Sequence, residues 1–489
     1  MNIPLYLDWG KNIMMEKIKK IYYSSIIIVL SIVISMINNI VISEKDTSFQ
    51  EKIQSFNQCD MIIISPNKFS SALQPLIKHK NNVGIQTILK TTEEIYGEYE
   101  GRDSAEQVKY FIKDAIENFG VDYILLVGDV DLVPMRKSAV TIITWLSLWK
   151  GILTDLYYAD IYDNNGNFCS WDSNNDGVFG EAYINKFRFI NNFPIRKKDF
   201  PDEVDLYPDI GVGRLPCKNE EEVQIIIDKI IHYETETYEG KWFNNMVLMG
   251  GDTFPENDPD TIVEGELFLE EYIRPEMEKH GFNIIKLYTS LETFNVESIN
   301  QEVTSGTGFV SYVGHGYPDR IGTYQAYNPS SFISYSIQDI SGMNNGYKLP
   351  IFFVGACLTG KLDYNIFDKI ISFDFPWCLL KLLTDKLETK KFPCFALSLI
   401  KKQDGGGIAA IAASQPGWEI YDGELGGTMF HRYFFEGYEP GINLSDMLIH
   451  AQNSYINWVM TRDGIMWDRN TIYEFNLIGD PSLKLGGYP

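Results

Sequence analysis

Two apolar runs of the sequence end in residues that could carry out nucleophilic catalysis. His315 lies in the segment VGHG (313–316), and Cys357 lies in the segment VGAC (354–357). A thiol beside an imidazole is the basic unit of cysteine catalysis, because the imidazole lowers the pKa of the thiol and later protonates the leaving amine. The backbone N–H groups of Gly316 and Cys357 are candidate donors to an oxyanion. The same pattern also fits a buried cysteine that packs as a small apolar residue.

Both residues need a scaffold that brings the ends of two strands together. Continuous apolar runs predict buried strands at 61–64, 123–127, 246–249, 308–313, 351–354 and 407–413. Apolar residues at helical spacing predict intervening helices at 103–119, 219–234 and 264–279. A capping box of Ser104 and Gln107 marks the start of the first helix. This alternation indicates an α/β fold with a parallel sheet, in which His315 and Cys357 follow strands at the carboxyl edge.

The composition excludes several classes of function. The chain has 489 residues, and 42 Lys and Arg stand against 66 Asp and Glu, which gives a formal charge of −24. We therefore expect no nucleic-acid partner, since nucleic acids need a clustered positive field. The six cysteines form no CxxC pair, which argues against a zinc ribbon or a thioredoxin-type centre. HExxH, GxSxG and P-loop motifs are also missing, which excludes zincins, α/β-hydrolases and P-loop NTPases.

The first 45 residues are typical of a targeting segment. Residues 21–43 carry no charge and follow a cluster of lysines at 17–20. A secretory apolar core has about 7–15 residues and a spanning helix about 20, so both a signal peptide and a signal anchor are open. A buried core helix is the third alternative. Because the basic side stays cytoplasmic, the chain after Glu44 is expected outside the cytoplasm, either secreted or anchored to the membrane through this segment.

Five segments stand out along the chain. They are LLVGD (125–129) with Pro134, DIGVGRL (209–215) with KIIHYE (229–234), YVGHG (312–316), FVGACLTG (353–360) and FNLIGDPSL (475–483). In sequence and in order these segments resemble the gingipain-type cysteine peptidases, and the resemblance spans roughly residues 61–485, well beyond the two reactive residues.

The resemblance implies a fold, an activity and roles for three residues. The fold would be caspase-like, a three-layer α/β/α arrangement with a mostly parallel sheet and two subdomains side by side, 46–238 and the catalytic 239–489. The activity would be that of a cysteine endopeptidase acting on proteins or peptides. His315 would be the general acid/base, Cys357 the nucleophile and Gly316 an oxyanion donor.

Further site residues are implied by position. Asp252 lies nearest to an acidic residue that orients the histidine in the family; it could also be a loop aspartate that caps the next helix. The family's best-known members cut after Arg or Lys by means of an acidic residue in the first pocket. Asp260 lies near that region, where a turn or a helix cap is the alternative. Trp418 resembles a tryptophan that walls the same pocket, or else packs in the core. An apolar segment within 361–391 departs from the family pattern and could shape or cover the cleft.

A second constellation predicts a structural calcium site. The segment DSNNDGVFGE (172–181) places Asp172, Asn174 and Asp176 at alternate positions before a glycine, as in calcium loops. Glu181 falls at the tenth position of the loop instead of the usual twelfth. A solvated Asp/Asn/Gly turn without metal is the alternative.

The sequence as a whole predicts an enzyme outside the cytoplasm that hydrolyses peptide bonds through an acyl-enzyme. Two alternatives remain open. A binding or scaffold protein of the same fold would lack turnover, and a processing transpeptidase would use an amine in place of water. The natural substrate, the activation step, the disulfide pairing and the oligomeric state stay undetermined.

Overall fold

The central element of the fold is a ten-stranded sheet. The structure is a computed structural model that describes residues 59–144, 147–184, 202, 204–255, 262–365, 391–417, 427–460 and 467–489. The strands are β1 (Met61–Ser65), β2 (Thr87–Thr91), β3 (Tyr123–Val127), β4 (Arg136–Thr144), β5 (Ser147–Thr154), β6 (Ala182–Ile184), β7 (Gly211–Leu215), β8 (Asn245–Gly250), β9 (Asn283–Tyr288), β10 (Phe309–Val313), β11 (His315–Tyr317), β12 (Arg320–Gln325), β13 (Asn328–Ser336), β14 (Ile351–Gly355), β15 (Ala409–Ala413) and β16 (Phe475–Ile478).

The sheet confirms the predicted α/β organisation. Its strands follow the order β2-β1-β3-β7-β16-β15-β14-β10-β8-β9. Pairing is parallel from β2 to β7 and from β15 to β9, whereas β16 pairs with β15 in the antiparallel sense. Strands β1, β10, β14 and β15 are buried at every residue. Burial on both faces explains why their sequences are continuously apolar and do not alternate.

Helices connect the strands of this sheet. They are α1 (Ser70–Asn82), α2 (Thr92–Glu98), α3 (Ser104–Phe119), α4 (Leu156–Ala159), α5 (Glu220–Glu236), α6 (Glu264–Phe268), α7 (Arg274–Lys279), α8 (Val296–Ser305), α9 (Phe395–Lys401), α10 (Gly427–Glu436), α11 (Leu444–Met460) and α12 (Trp467–Glu474).

The start of α3 corrects a predicted cap. The N-cap is Asp103, whose side chain accepts a hydrogen bond from the Glu106 N–H at 2.9 Å. Gln107 instead donates from Nε2 to the Tyr99 carbonyl at 2.6 Å. The capping box predicted at Ser104 and Gln107 is therefore wrong, because the aspartate one residue earlier already satisfies the first turn.

The helix predicted at 264–279 is divided in the structure. α6 ends at Phe268, a wide π-helical turn spans Leu269–Ile273, and α7 begins at Arg274. Pro275 gives the physical reason. It has no N–H to donate, and its ring excludes the carbonyl four residues earlier, so the turn before it widens.

Two small sheets flank the main one. The sheet β11-β12-β13 is antiparallel and begins directly after β10, with His315 opposite Gly322. A bridge between Asp252 and Tyr324 ties it to the loop after β8. The other sheet has the order β5-β4-β6. The first of these small sheets matters for the site, because its first strand starts at the histidine.

Several predictions are not tested by the described residues. By contacts, these residues lie within a single unit, Cys59–Pro489. The division into subdomains at 238/239 and the three-layer arrangement stay predictions. The segment 1–45 lies outside the described residues, as does most of the apolar segment, at 366–390. In the part of the chain that is described, no helix has the length and apolarity needed to cross a membrane.

Candidate active site

His315 stands at the point where β10 passes into β11. Gly314 makes this passage possible, since a Cβ there would lie 2.4 Å from the Tyr312 hydroxyl oxygen. The Tyr312 hydroxyl in turn lies 3.0 Å from the His315 carbonyl oxygen and 2.7 Å from that of Gly322. The buried phenol of β10 therefore lies within hydrogen-bonding distance of the backbone of both β11 and β12, and its single O–H donates to one of the two carbonyls at a time.

The imidazole of His315 is oriented by a backbone carbonyl. Its Nε2 lies 2.8 Å from the carbonyl oxygen of Thr253, in the loop after β8. A carbonyl only accepts, so Nε2 carries the proton and, in the neutral ring, Nδ1 holds the lone pair. This partner was missed by sequence reasoning, because a backbone oxygen leaves no trace in residue type.

Asp252, the residue predicted to orient the histidine, lies next to that carbonyl but makes other contacts. Its backbone bonds with Tyr324 in both directions, and its side chain is 1% exposed. Neither carboxylate oxygen receives a hydrogen bond of ordinary geometry from the described residues. Burial, with a smaller contribution from the charge of Glu264, raises the pKa of Asp252 to about 6. The structure gives the hydrogen bond to His315 to Thr253, and the role of Asp252 stays a prediction.

Cys357 follows the end of β14 by two residues. It lies in a loop whose backbone is hydrogen-bonded to the end of β15 and to the residues just after it. The Leu358 N–H donates to the Gln415 carbonyl at 3.1 Å, and the Gly360 N–H donates to the Ala413 carbonyl at 2.8 Å. Leu358 has a φ of 62°, a left-handed conformation that is rare for a residue with a side chain. The Cys357 sulfur is half-buried and lies 3.6 Å from the Gly417 carbonyl oxygen.

β11, which begins at His315, is in backbone contact with the loop that carries Cys357. We call these two segments the histidine strand and the cysteine loop. A Cβ at Gly316 would lie 2.3 Å from the Cys357 carbonyl oxygen and 2.9 Å from its nitrogen. A side chain at position 316 would not fit unless one of these two backbone segments moved. Gly316 therefore sets how closely the backbone beside His315 approaches the backbone of Cys357.

Both reactive side chains line the same cavity. It has a volume of about 270 Å³, and its lining includes Thr253, His315, Cys357 and Glu474. The cavity opens where β10 and β14, adjacent parallel strands, end. This is the edge at which the sequence predicted that the two residues would meet.

Glu474 is an acidic residue of this cavity that sequence reasoning missed. It ends α12, directly before β16, and its side chain is buried. A Cβ at Gly417 would lie 3.1 Å from its Oε1, so the carboxylate lies beneath the segment whose carbonyl faces the Cys357 sulfur. The signal available in the sequence was the position of Glu474 directly before FNLIGDPSL (475–483). The first four residues of this segment form β16, which pairs with the neighbouring strand β15.

His431 packs against β10 and β14, the strands that lead to His315 and Cys357. Its Nε2 lies 2.9 Å from the Ser311 hydroxyl of β10, and its ring stacks on Phe353 of β14 with centroids 3.9 Å apart. A Cβ at Gly355 would lie 2.8 Å from its Nδ1. Burial holds the pKa of His431 well below the ordinary value, so the ring supports both strands as a neutral group.

Two of the remaining predicted site residues lie outside the described part of the chain, and the predicted calcium ligands form a separate loop. Asp260 and Trp418 lie outside the described residues. The predicted calcium ligands curl into a loop: Asp172 accepts from the N–H groups of Asp176 (3.0 Å) and Gly177 (2.9 Å).

The loop makes further contacts that bear on the calcium prediction. Asp172 also pairs with Arg102, and the Asn174 amide lies 3.2 Å from Glu181. Among the described residues, no group of three or more His, Cys, Asp or Glu is arranged to hold a metal. A calcium ion at this loop would have to displace the Arg102 guanidinium from Asp172, and calcium binding stays a prediction.

Comparisons with known proteins agree with this architecture. The model of Peptidase family C25 matches residues 54–486. Gingipain R2 of Porphyromonas gingivalis is 24% identical over 362 residues, which cover 72% of this chain and 36% of that protein. An uncharacterized protein of Archaeoglobus fulgidus is 24% identical over 281 residues, which cover 53% of this chain and 57% of that protein. The chain thus spans about a third of the length of gingipain R2.

Two solved structures share the fold. The crystal structure of the Arg specific cysteine proteinase gingipain R superposes with a TM-score of 0.59 at 20% identity, covering 88% of this chain and 78% of that one. The complex of the pro- and mature domains of a Porphyromonas gingivalis gingipain gives a TM-score of 0.57 at 20% identity, with 87% and 79% covered. The chain belongs to peptidase family C25. The members of this family are cysteine-type peptidases, a class of hydrolases.

Proposed function

We propose that Cys357 and His315 form the catalytic pair of an endopeptidase. One observation carries this proposal: the two side chains line one cavity at the ends of adjacent parallel strands, with Gly316 packed against the Cys357 peptide. A half-buried sulfur can meet a substrate, whereas the buried thiol of Cys59 cannot, and burial raises the pKa of Cys59 to about 12.

The chemistry would proceed in two steps. The Cys357 thiolate attacks the carbonyl carbon of the cleaved bond, and the backbone N–H groups of Gly316 and Cys357 receive the oxyanion. The C–N bond then breaks as the His315 imidazolium gives its proton to the leaving amine. In the second step a water molecule gives a proton to His315 and attacks the thioester. The acid product leaves, and the thiolate is restored.

Thr253 would serve this cycle through its carbonyl. The hydrogen bond at 2.8 Å fixes the ring plane and keeps the proton on Nε2, so Nδ1 is the nitrogen that exchanges protons with the substrate. The carbonyl dipole also favours the imidazolium formed in each step. A carboxylate in contact with His315 is not required for either effect.

For the residue before the cut, we propose a cationic side chain. The support is Glu474, whose carboxylate lies in the cavity with Cys357, and the Arg-specific proteinase among the structures of the same fold. Asp260 and Trp418 remain proposed members of the same pocket.

Hydrolysis of blocked peptides with Arg, Lys, Leu or Asp before the cut tests the proposal. We expect cleavage after Arg or Lys by the wild type, and a loss of at least about 1,000-fold in kcat/KM for Cys357→Ala and His315→Ala. Cys59→Ala is the matched control, a buried cysteine that does not line the cavity, and should keep full activity per folded molecule. Equal rates in all four proteins would remove the proposal, and products joined to an added amine would favour the transpeptidase.

A location outside the cytoplasm is a separate part of the proposal. Its support is the lysine cluster at 17–20 before the uncharged residues 21–43. Cells that express the full chain should expose residues after Glu44 to an added protease, or release them into the medium. Protection of the whole chain in intact cells would contradict this location.

A further inference from the structure

Three aromatic rings surround the imidazole of His315. The ring centroids of Phe254 and Tyr324 both lie 6.0 Å from that of His315, with nearly perpendicular planes, and that of Phe332 lies 6.1 Å away. Tyr324 and Phe332 are themselves in edge contact, with centroids 5.0 Å apart. We refer to Phe254, Tyr324 and Phe332 as the aromatic wall.

The small antiparallel sheet builds this wall. Tyr324 of β12 stands opposite Phe332 of β13, and Gly322 stands opposite His315. A Cβ at Gly322 would lie 2.6 Å from the Phe332 ring, so the ring occupies the space left by the glycine and reaches the histidine. The reciprocal backbone bonds between Asp252 and Tyr324 attach the wall to the loop that carries Thr253 and Phe254.

The wall offers apolar area beside the reacting groups. Phe332 is 39% exposed, and Phe254 and Tyr324 are half-buried. Phe254 also lines the cavity that contains Cys357, whereas Tyr324 and Phe332 contact the imidazole without being part of the cavity lining. When a ligand covers exposed aromatic surface of this kind at the rim of a site, the burial of apolar area stabilises the complex.

The chemistry of His315 says which part of a substrate comes there. The imidazolium protonates the leaving amine, and that nitrogen belongs to the residue that follows the cleaved bond. We propose that the aromatic wall is the subsite for the side chain of this residue, and that it favours aromatic and large aliphatic side chains. This assignment rests on the proposed function, because it takes His315 as the acid that releases the amine.

The experiment compares two kinds of substrate with identical residues before the cut. Quenched peptides carry Phe, Leu, Gly or Asp after the cut, and a methyl ester carries no residue there. We expect the wild type to prefer Phe and Leu over Gly by about tenfold or more in kcat/KM. In Phe332→Ala this preference should fall to within about threefold, and kcat/KM for the Phe peptide should fall at least about threefold further than kcat/KM for the methyl ester.

Two further variants serve as controls. Phe332→Tyr keeps the ring and should keep the preference. Tyr347→Ala removes an aromatic ring of similar exposure, 41%, that stacks on His232 of α5. It should leave kcat/KM unchanged for both the peptides and the methyl ester.

The outcomes separate the two claims. Equal rates for all four peptides in the wild type would overturn the subsite. So would a loss in Phe332→Ala that is the same for the ester and the peptides, including complete inactivity. A wild type that cleaves neither substrate would instead contradict the proposed function.

Discussion

Two regions of the sheet carry polar groups at the ends of parallel strands, and they use them in opposite ways. In the first region, Arg214 of β7 is completely buried, yet its guanidinium is fully engaged. It bonds to both carboxylate oxygens of Asp155, at 2.6 and 2.7 Å, and to the carbonyls of Gly128 and Val133. In the second region, His315 and Cys357 line an open cavity beside Glu474.

The two regions are neighbours, so the contrast is not one of distance from the core. The Ser414 hydroxyl, directly after β15, donates to the Leu153 carbonyl at 2.8 Å, two residues before Asp155. The difference is whether the polar groups are enclosed by protein or face a cavity. In the first region they are enclosed and hold the fold together. In the second region the same sheet geometry places His315 and Cys357 at an open cavity.

We call the first region, around Arg214, the closed region, and the second, around His315 and Cys357, the open region. The largest expected effect is on stability, in the closed region. Arg214→Met leaves the Asp155 carboxylate buried without its partner, so we expect a loss of about 3–5 kcal/mol in the free energy of unfolding. Denaturant unfolding measures this loss. Lys113→Met, which breaks the partly exposed Lys113–Glu117 pair on α3, is the matched control and should cost less than about 1 kcal/mol. A similar small cost for both variants would break the contrast.

The next effect is on activity, in the open region. Gly316→Ala places a methyl group against the Cys357 backbone, so the histidine strand and the cysteine loop must separate. We expect kcat to fall by about 100-fold, because displacements of about 1 Å at reacting groups have this effect. Gly97→Ala, with open space around its Cβ and no left-handed φ, controls for a general glycine effect on stability. Unchanged kcat in Gly316→Ala would contradict the close backbone contact.

A smaller effect concerns Asp252, which combines burial with a place in the open region. Its pKa is raised to about 6 in the folded state, so it is neutral in both states at pH 3 and ionised in both at pH 8. The folded state is therefore penalised increasingly as pH rises from about 4 to about 6, and fully above that.

Asp252→Asn should remove this penalty. We expect it to raise the melting temperature at pH 8 relative to wild type and to leave it unchanged near pH 4, with activity within about threefold. A large loss of activity with intact folding would instead show that the carboxylate acts on His315, as the sequence resemblance implied.

The smallest expected effect is at the loop 172–181, far from both regions in function. If the loop binds calcium as its sequence pattern predicts, a chelator should lower the melting temperature by about 2–4 °C. Asp176→Ala should abolish this difference. A melting temperature that ignores chelator and calcium alike would indicate that the Arg102–Asp172 pair alone neutralises the loop.

What the sequence could predict follows from how local each signal is. The buried strands β3, β10 and β14 are visible as apolar runs, and the glycines around His315 and Cys357 mark turns at strand ends. The break before Pro275 was also readable in principle, since a proline inside a helical pattern disrupts the preceding turn.

The missed parts depend on contacts between distant segments. The Thr253 carbonyl has no side-chain signature, and Glu474 reaches the cavity only because β16 inserts beside β15. The Phe332 ring depends on the register that sets Gly322 opposite His315. Such pairings are decided by the folded sheet, so residue type alone does not reveal them.

The central claim is that the Cys357 sulfur and the His315 imidazole act together at the open edge of the sheet. A peptidyl electrophile with Arg before the reactive carbon, followed by mass spectrometry of the intact protein and its fragments, tests it most directly. We expect one adduct, on Cys357, formed at least about 100-fold more slowly in His315→Ala. Label spread over other cysteines, or a rate on Cys357 that does not depend on His315, would contradict the claim.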